Sequence, residues 1–269
     1  MDTDVVDLNG NSVKQVALPV QFEESYRPDV IRRAFHSEAS FKLQPKGISP
    51  LSGMQNTAAY YGRRHAWRQT INTGRSRVPR EKLAGGRLGQ VRRIPSAASG
   101  RRAHPPKTAK RLVERINLKE KNLAVRSAIA STASQEIVIS RGHLIGEKIK
   151  VPVVLDNSLE EVKKAKEIRK ILESLGFADD MKRAHDGRRR RSGRARLRKG
   201  GYKTPKSVLI VVGEEKGIWR ATRNIPGVEV VKADKLSIEE LAPGGVSGRL
   251  TIWTENALKK LSDQQLFVM

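Results

Sequence analysis

Four short apolar runs stand out in the second half of the chain, at 151–155, 208–212, 228–231 and 250–253. Each is dense in β-branched residues and barely interrupted by polar ones, the pattern of strands covered on both faces rather than of strands with one wet side. Helical signals fall between or after them. Ser158-Leu-Glu-Glu161 has the form of a capping box, and Leu159, Val162, Ala165, Leu172 and Leu175 follow near the 3.6-residue period until Gly176. Ser237-Ile-Glu-Glu240 repeats that form before a short helix, and Thr254 is placed to cap a last one whose Leu258 and Leu261 face inward. Nearer the start, 5–8 and 13–18 read as a hairpin turning at Asn9-Gly10, a helix is expected over 29–43, and a longer helical stretch over 108–134. This alternation predicts an α/β fold: a small doubly wound, mostly parallel sheet with helices on both faces.

Between those elements lie stretches with no period at all, and the charge is concentrated there. The 269 residues carry 53 Lys+Arg against 28 Asp+Glu, a formal charge of +25. Residues 46–105 hold 13 bases against one acid, Glu81, and residues 182–206 hold 12 against Asp186. Removing both segments leaves 28 bases and 26 acids, an ordinary, nearly neutral domain. Cations packed into segments rich in Gly, Ser and Pro predict two long basic extended insertions that take their shape from a polyanion, nucleic acid ahead of an anionic membrane surface. The expected organisation is therefore 1–45 as the N-terminal hairpin and helix, 46–105 as the first insertion, 106–181 as the domain continued, 182–206 as the second insertion, and 207–269 as its C-terminal part.

Arginine outnumbers lysine in both segments, and its planar fork can bridge phosphates, donate to base edges and stack on bases. The expected RNA contacts of the first are Lys46, Arg63, Arg64, His65, Trp67, Arg68, Arg75, Arg77, Arg80, Lys82, Arg87, Arg92, Arg93, Arg101, Arg102, His104 and Lys107. Those of the second are Arg188, Arg189, Arg190, Arg191, Arg194, Arg196, Arg198 and Lys199. Tyr60, Tyr61 and Trp67 add stacking surfaces. A short charge run is ordinarily a solvated face, and Arg188–Arg191 also has the look of a localisation signal, but neither accounts for 25 cations against two acids.

Enzyme chemistry finds little purchase. Gly85-Gly-Arg-Leu-Gly89 follows no credible strand, and Gly213-Glu-Glu-Lys-Gly217 puts two acids where a phosphate would sit. The histidines, His36, His65, His104, His143 and His185, lack metal-ligand spacing, there is no cysteine, and the paired acids 160–161, 214–215 and 239–240 fit helix starts better than a carboxylate site. No catalytic residue, metal, cofactor or small-molecule substrate is expected. The acidic N-terminus is unlike a secretory signal and the longest strongly apolar run is far short of a bilayer span, so a cytosolic protein without a membrane partner is expected.

Two stretches carry a family likeness. Thr73-Gly-Arg-Ser-Arg-Val-Pro-Arg80 resembles the glycine- and arginine-rich signature of a long loop, and Ser99-Gly-Arg-Arg-Ala-His-Pro-Pro-Lys107 resembles the segment closing it, in the L-four family of large-subunit ribosomal proteins in its archaeal form. The likeness extends over essentially the whole chain. It implies a non-enzymatic constituent of the cytoplasmic ribosome, with large-subunit rRNA and neighbouring ribosomal proteins as partners. It further implies that the long loop reaches the wall of the polypeptide exit tunnel, where Arg68, Gln69, Thr70, Ile71, Asn72, Thr73, Gly74 and Arg75 would meet the nascent polypeptide. Residues 69–72 depart from the more glycine-rich tip of that family. A DNA-compacting protein and an RNA-processing factor remain as alternatives, separable by duplex-DNA competition and by RNA turnover.

Overall fold

A computed structural model of the chain describes residues 2–65, 69–146, 149–197 and 199–268. Two compact units emerge, one formed by Met1–Lys42 with Val113–Met269 and the other by Leu43–Leu112.

The first unit is built on a six-stranded sheet. Its strands are β1 (Asp2–Val6), β2 (Ser12–Ala17), β5 (Val153–Leu155), β8 (Leu209–Val212), β9 (Glu229–Lys232) and β10 (Thr251–Thr254), in the spatial order β2-β1-β5-β10-β8-β9. Only the β1–β2 pair is antiparallel. Successive side chains on the central strands point into opposite halves of the core. Val154, Leu209, Val211 and Trp253 join one apolar cluster, while Val153, Leu155, Ile210, Val212 and Ile252 join the other. That is why the sequence runs are unbroken: both faces are dry.

Helices α1 (Pro28–Phe41), α2 (Leu118–Thr132), α7 (Ile238–Leu241) and α8 (Glu255–Asp263) seal the first face. Helices α3 (Gln135–Ser140), α4 (Ala165–Ser174), α5 (Ala178–Asp186) and α6 (Ile218–Thr222) seal the second. Trp253 anchors the first, fully buried with its ring edge-on to Phe22 at 5.2 Å between centroids. The mostly parallel α/β fold expected from the apolar pattern is the one observed.

Several local expectations needed more than pattern. The Ser237–Glu240 capping box forms, and the Thr254 hydroxyl accepts from the Ala257 N–H. At Ser158–Glu161 no capping box forms. Residues Asn157–Glu161 make a 3-10 turn and α4 starts only at Ala165; within that turn the Glu160 carboxylate points inward to accept from the Gly213 N–H at 2.8 Å and the Thr254 hydroxyl at 2.8 Å. Gly213 is therefore structural: a Cβ there would lie 2.6 Å from Asn256 Cβ. The long helix expected from 108 begins only at Leu118. Before it, Ser37 donates to the Glu114 carbonyl and the Glu114 N–H donates to Ser40, so α1 satisfies backbone groups that a helix would have used internally. The N-terminal hairpin turns through Asp7–Asn11, with Asp7 N–H donating to the Asn11 carbonyl, rather than through a two-residue Asn-Gly loop.

Candidate nucleic-acid interface

The Leu43–Leu112 unit has almost no apolar interior. Among its described residues only Ala58 and Thr70 are buried. A small hairpin holds it instead: β3 (Arg80–Lys82) pairs antiparallel with β4 (Leu88–Val91), and Ala59 bridges to Arg80. The run Gly85-Gly-Arg-Leu-Gly89, whose spacing misses a dinucleotide fingerprint, supplies part of the turn between them and the start of β4. Elsewhere the backbone closes on itself at Gly100, where a Cβ would come within 1.8 Å of the Ile94 carbonyl oxygen. Any side chain there would force the loop open.

The expected RNA contacts divide by what else they do. Lys46, Arg63, Arg64, His65, Arg77, Arg87, Arg101, Arg102, His104 and Lys107 are exposed, and among the described residues none of their side chains makes a hydrogen bond or ion pair within the fold. Others brace the unit while keeping their charge. Arg75 Nη1 donates to the Leu88 carbonyl at 3.2 Å, Arg93 to the Met54 carbonyl, Arg80 to Ser76, and Arg92 pairs with Glu81 at 2.9 Å. The Lys82 ammonium sits 5.2 Å from the centre of the Tyr61 ring. Pinning these guanidinia fixes where charge is presented and lowers the entropy lost when a phosphate arrives.

The 69–75 stretch is folded against Tyr61. Thr70 is buried, its hydroxyl donating to the Tyr61 carbonyl at 3.0 Å and accepting from the Tyr61 N–H at 2.7 Å. Gln69, Asn72, Thr73, Gly74 and Arg75 are exposed and Ile71 half-buried. Asn72 and Gly74 take positive φ of 59° and 72°, which makes the tip a tight bend. Trp67 and Arg68 lie outside the described residues.

The second basic segment belongs to the sheet unit. It starts inside α5, so Lys182 and Arg183 are helical, and then forms a two-rung hairpin of β6 (Arg189–Arg190) and β7 (Tyr202–Lys203). Arg188 covers the Tyr202 ring at 4.6 Å. Arg188, Arg189, Arg190, Arg191, Arg194 and Arg196 are all exposed. Arg198 and the Lys199 side chain lie outside the described residues.

Charge periodicity alone missed the knot of polar groups beneath this hairpin. Asp180 is fully buried and accepts from Arg183 Nε at 2.9 Å, the Ser207 hydroxyl at 2.5 Å and the Leu144 N–H at 3.2 Å, with His143 Nδ1 also 3.2 Å away. Burial alone would raise its pKa, but hydrogen bonds from His143, Arg183 and Ser207 outweigh that and hold the carboxyl well below the usual range. Arg249, with no exposed side-chain surface, donates to the carbonyls of Ser207, Gly227 and Glu240 and to Glu229 Oε2. One arginine beside a strand-forming run gave no signal that it would be swallowed. Both clusters clamp Ser207, the residue through which the basic hairpin re-enters the sheet.

Among the described residues no helix is long and apolar enough to cross a membrane, and no group of three or more His, Asp or Glu is arranged to hold a metal ion.

The family model described as "Ribosomal protein L4/L1 family" matches residues 16–264. The chain is 46% identical over 260 residues to the large ribosomal subunit protein uL4 of Methanocaldococcus jannaschii, covering 97% of this chain and 98% of that one. It is 43% identical over 259 residues to uL4 of Methanosphaera stadtmanae (96% and 95% covered) and 43% over 264 residues to uL4 of Methanococcus vannielii (98% and 100%).

Proposed function

We propose that this chain, which belongs to the ribosomal protein L4/L1 family, is a non-enzymatic structural constituent of the large subunit of the cytoplasmic ribosome, binding large-subunit rRNA alongside neighbouring ribosomal proteins. The observation that carries the reading is the match to archaeal uL4 over almost the whole chain, both basic segments included. Its chemistry suits the role. RNA strands repel one another, and a scaffold that delivers cations on a fixed backbone lets them pack. If ten of these cations meet phosphates, the logarithm of affinity falls with the logarithm of salt at a slope of roughly −7 to −9. A DNA-compacting or RNA-processing role outside the ribosome is left without support.

Within that role, residues 46–105 and 188–199 are the RNA-contacting segments, and 68–75 form part of the exit-tunnel wall, where the nascent polypeptide passes. The exposed bend at Asn72 and Gly74 supports the second assignment, since it offers small polar surface at a tip. Deleting residues 53–102 tests the first. Large subunits should fail to mature, and normal particles with unchanged RNA protection would refute the role. A photo-cross-linking residue at position 72 tests the second: translating ribosomes should yield a nascent-chain adduct, and its absence removes the tunnel assignment while leaving the RNA role intact.

A further inference from the structure

Along the open edge of β9, the last strand of the sheet, lies a cleft of about 890 Å³. Its lining brings together the apolar Phe35, Trp219 and Val230 and the cations Arg191, Lys203 and Lys206. Those three cations and the Pro243-Gly244 turn are shared with an adjoining cavity of about 730 Å³ that adds Arg141, His143 and Arg183 and includes no acid in its lining.

Trp219 is unusual for its class. It is 47% exposed on a short helix, whereas Trp253 is fully buried, and the Arg223 guanidinium lies over its ring at 5.4 Å. An aromatic paired with a guanidinium and left half in solvent is a platform on which a base can stack. In the adjoining cavity Arg141 is held in place by the carbonyls of Pro243 at 2.8 Å and Ser247 at 3.3 Å, which leaves other donors of its fork unspent. Burial and the neighbouring charges of Arg249 and Arg183 push its pKa down to about 10, so its charge has too few counter-charges nearby. Arg191 and Lys203 have no side-chain partner among the described residues.

The acids of the cleft do not offset this. Glu229 is tied to Arg249 and Lys206, and Glu239 to Lys42. Glu240 is pushed up by burial and by Glu38 and Glu239.

We propose that this trough holds one unpaired nucleotide of large-subunit RNA, its base against Trp219 and its phosphate among Arg141, Arg191 and Lys203. The proposal rests on the ribosomal reading above and adds contacts from α3, α6 and β7 to those of the arginine runs. A half-exposed indole with a guanidinium over it, in one lining with the unpaired cations Arg191 and Lys203, favours RNA over a peptide added to the β9 edge, which would need no such cations.

The test is short-wave ultraviolet cross-linking of the full-length chain to its own large-subunit rRNA, read by mass spectrometry. A nucleotide adduct is expected on the peptide containing Trp219. It should fall about tenfold in an Arg141→Ala/Lys203→Ala variant, while adducts within residues 63–107 persist. Because Arg141 also braces a turn, Lys203→Glu serves as the second variant, its side chain having no hydrogen-bond or ion-pair partner among the described residues, and should give the same loss. Adducts in 63–107 with none at Trp219 overturn the trough and spare the ribosomal role. No adduct anywhere overturns the ribosomal reading instead. In intact subunits, a chemical cross-link from this cleft to another ribosomal protein in place of RNA overturns the proposal and makes the β9 edge a protein seat.

Discussion

The sheet unit and the Leu43–Leu112 unit are opposite solutions to the same chain's problem of ordering itself. The first buries two apolar clusters on either side of six strands. The second buries Ala58 and Thr70 and relies on a short hairpin, guanidinium-to-carbonyl bonds and close backbone contact at Gly100. Apolar burial contributes about 25 cal/mol per Å², so the sheet unit can repay its conformational entropy from within. The other unit cannot, and its exposed cations repel one another until a polyanion arrives. On the function proposed above, stability residing in the protein and stability borrowed from a partner thus occur in one sequence.

The largest effects should come from the sheet unit. Trp253→Ala removes a buried ring and its contact with Phe22, and should cost about 3 to 5 kcal/mol, read from urea unfolding of the isolated chain. A loss below about 1 kcal/mol would break the contrast. Asp180→Ala strands Arg183 and His143 beneath the basic hairpin and should cost about 3 kcal/mol at neutral pH. The folded-state pKa of Asp180 is depressed, so its stabilisation is fully present above the ordinary carboxylate pKa near 4 and fades as pH falls toward the folded value. The gap between wild type and variant should therefore narrow in acid unfolding series below about pH 4, and a gap that widens there would contradict the network. Gly213→Ala should cost about 1 to 3 kcal/mol, because a Cβ meets Asn256.

The smallest stability effects belong to the exposed arginines. Arg87→Ala or Arg190→Ala should change stability by no more than about 0.5 kcal/mol, yet each should lower the salt slope of RNA binding by about one if it meets a phosphate. Hydrogen exchange sharpens the same contrast. Amides of β8 and β10 should exchange only through global unfolding, whereas those of 43–112 should exchange fast in the free chain and slow when RNA is bound.

The sheet was legible because a strand dry on both faces has few residue choices: the runs at 151–155, 208–212, 228–231 and 250–253 contain β5, β8, most of β9 and most of β10. The concentration of cations was legible too, 25 against two acids in two stretches, and among the described residues most of them are exposed. Less was legible where one side chain had two uses. Glu160 lies at an expected helix start but serves Gly213 and Thr254, which are 53 and 94 residues away. The start of α2 depended on Ser37 and Ser40 of another helix.

By itself, then, the sequence determined composition-driven properties: which runs must be dry, which segments concentrate the cations, and where Ser237 and Thr254 start helices. Only the tertiary structure decided that Arg249 is buried, that Asp180 knots the base of the second basic segment, and that Trp219 shares a cleft with Arg191 and Lys203. The physical reason is range. Hydrophobic period and local capping act over a few residues, whereas pairing a buried charge or assembling a cleft depends on partners that only the folded chain brings together.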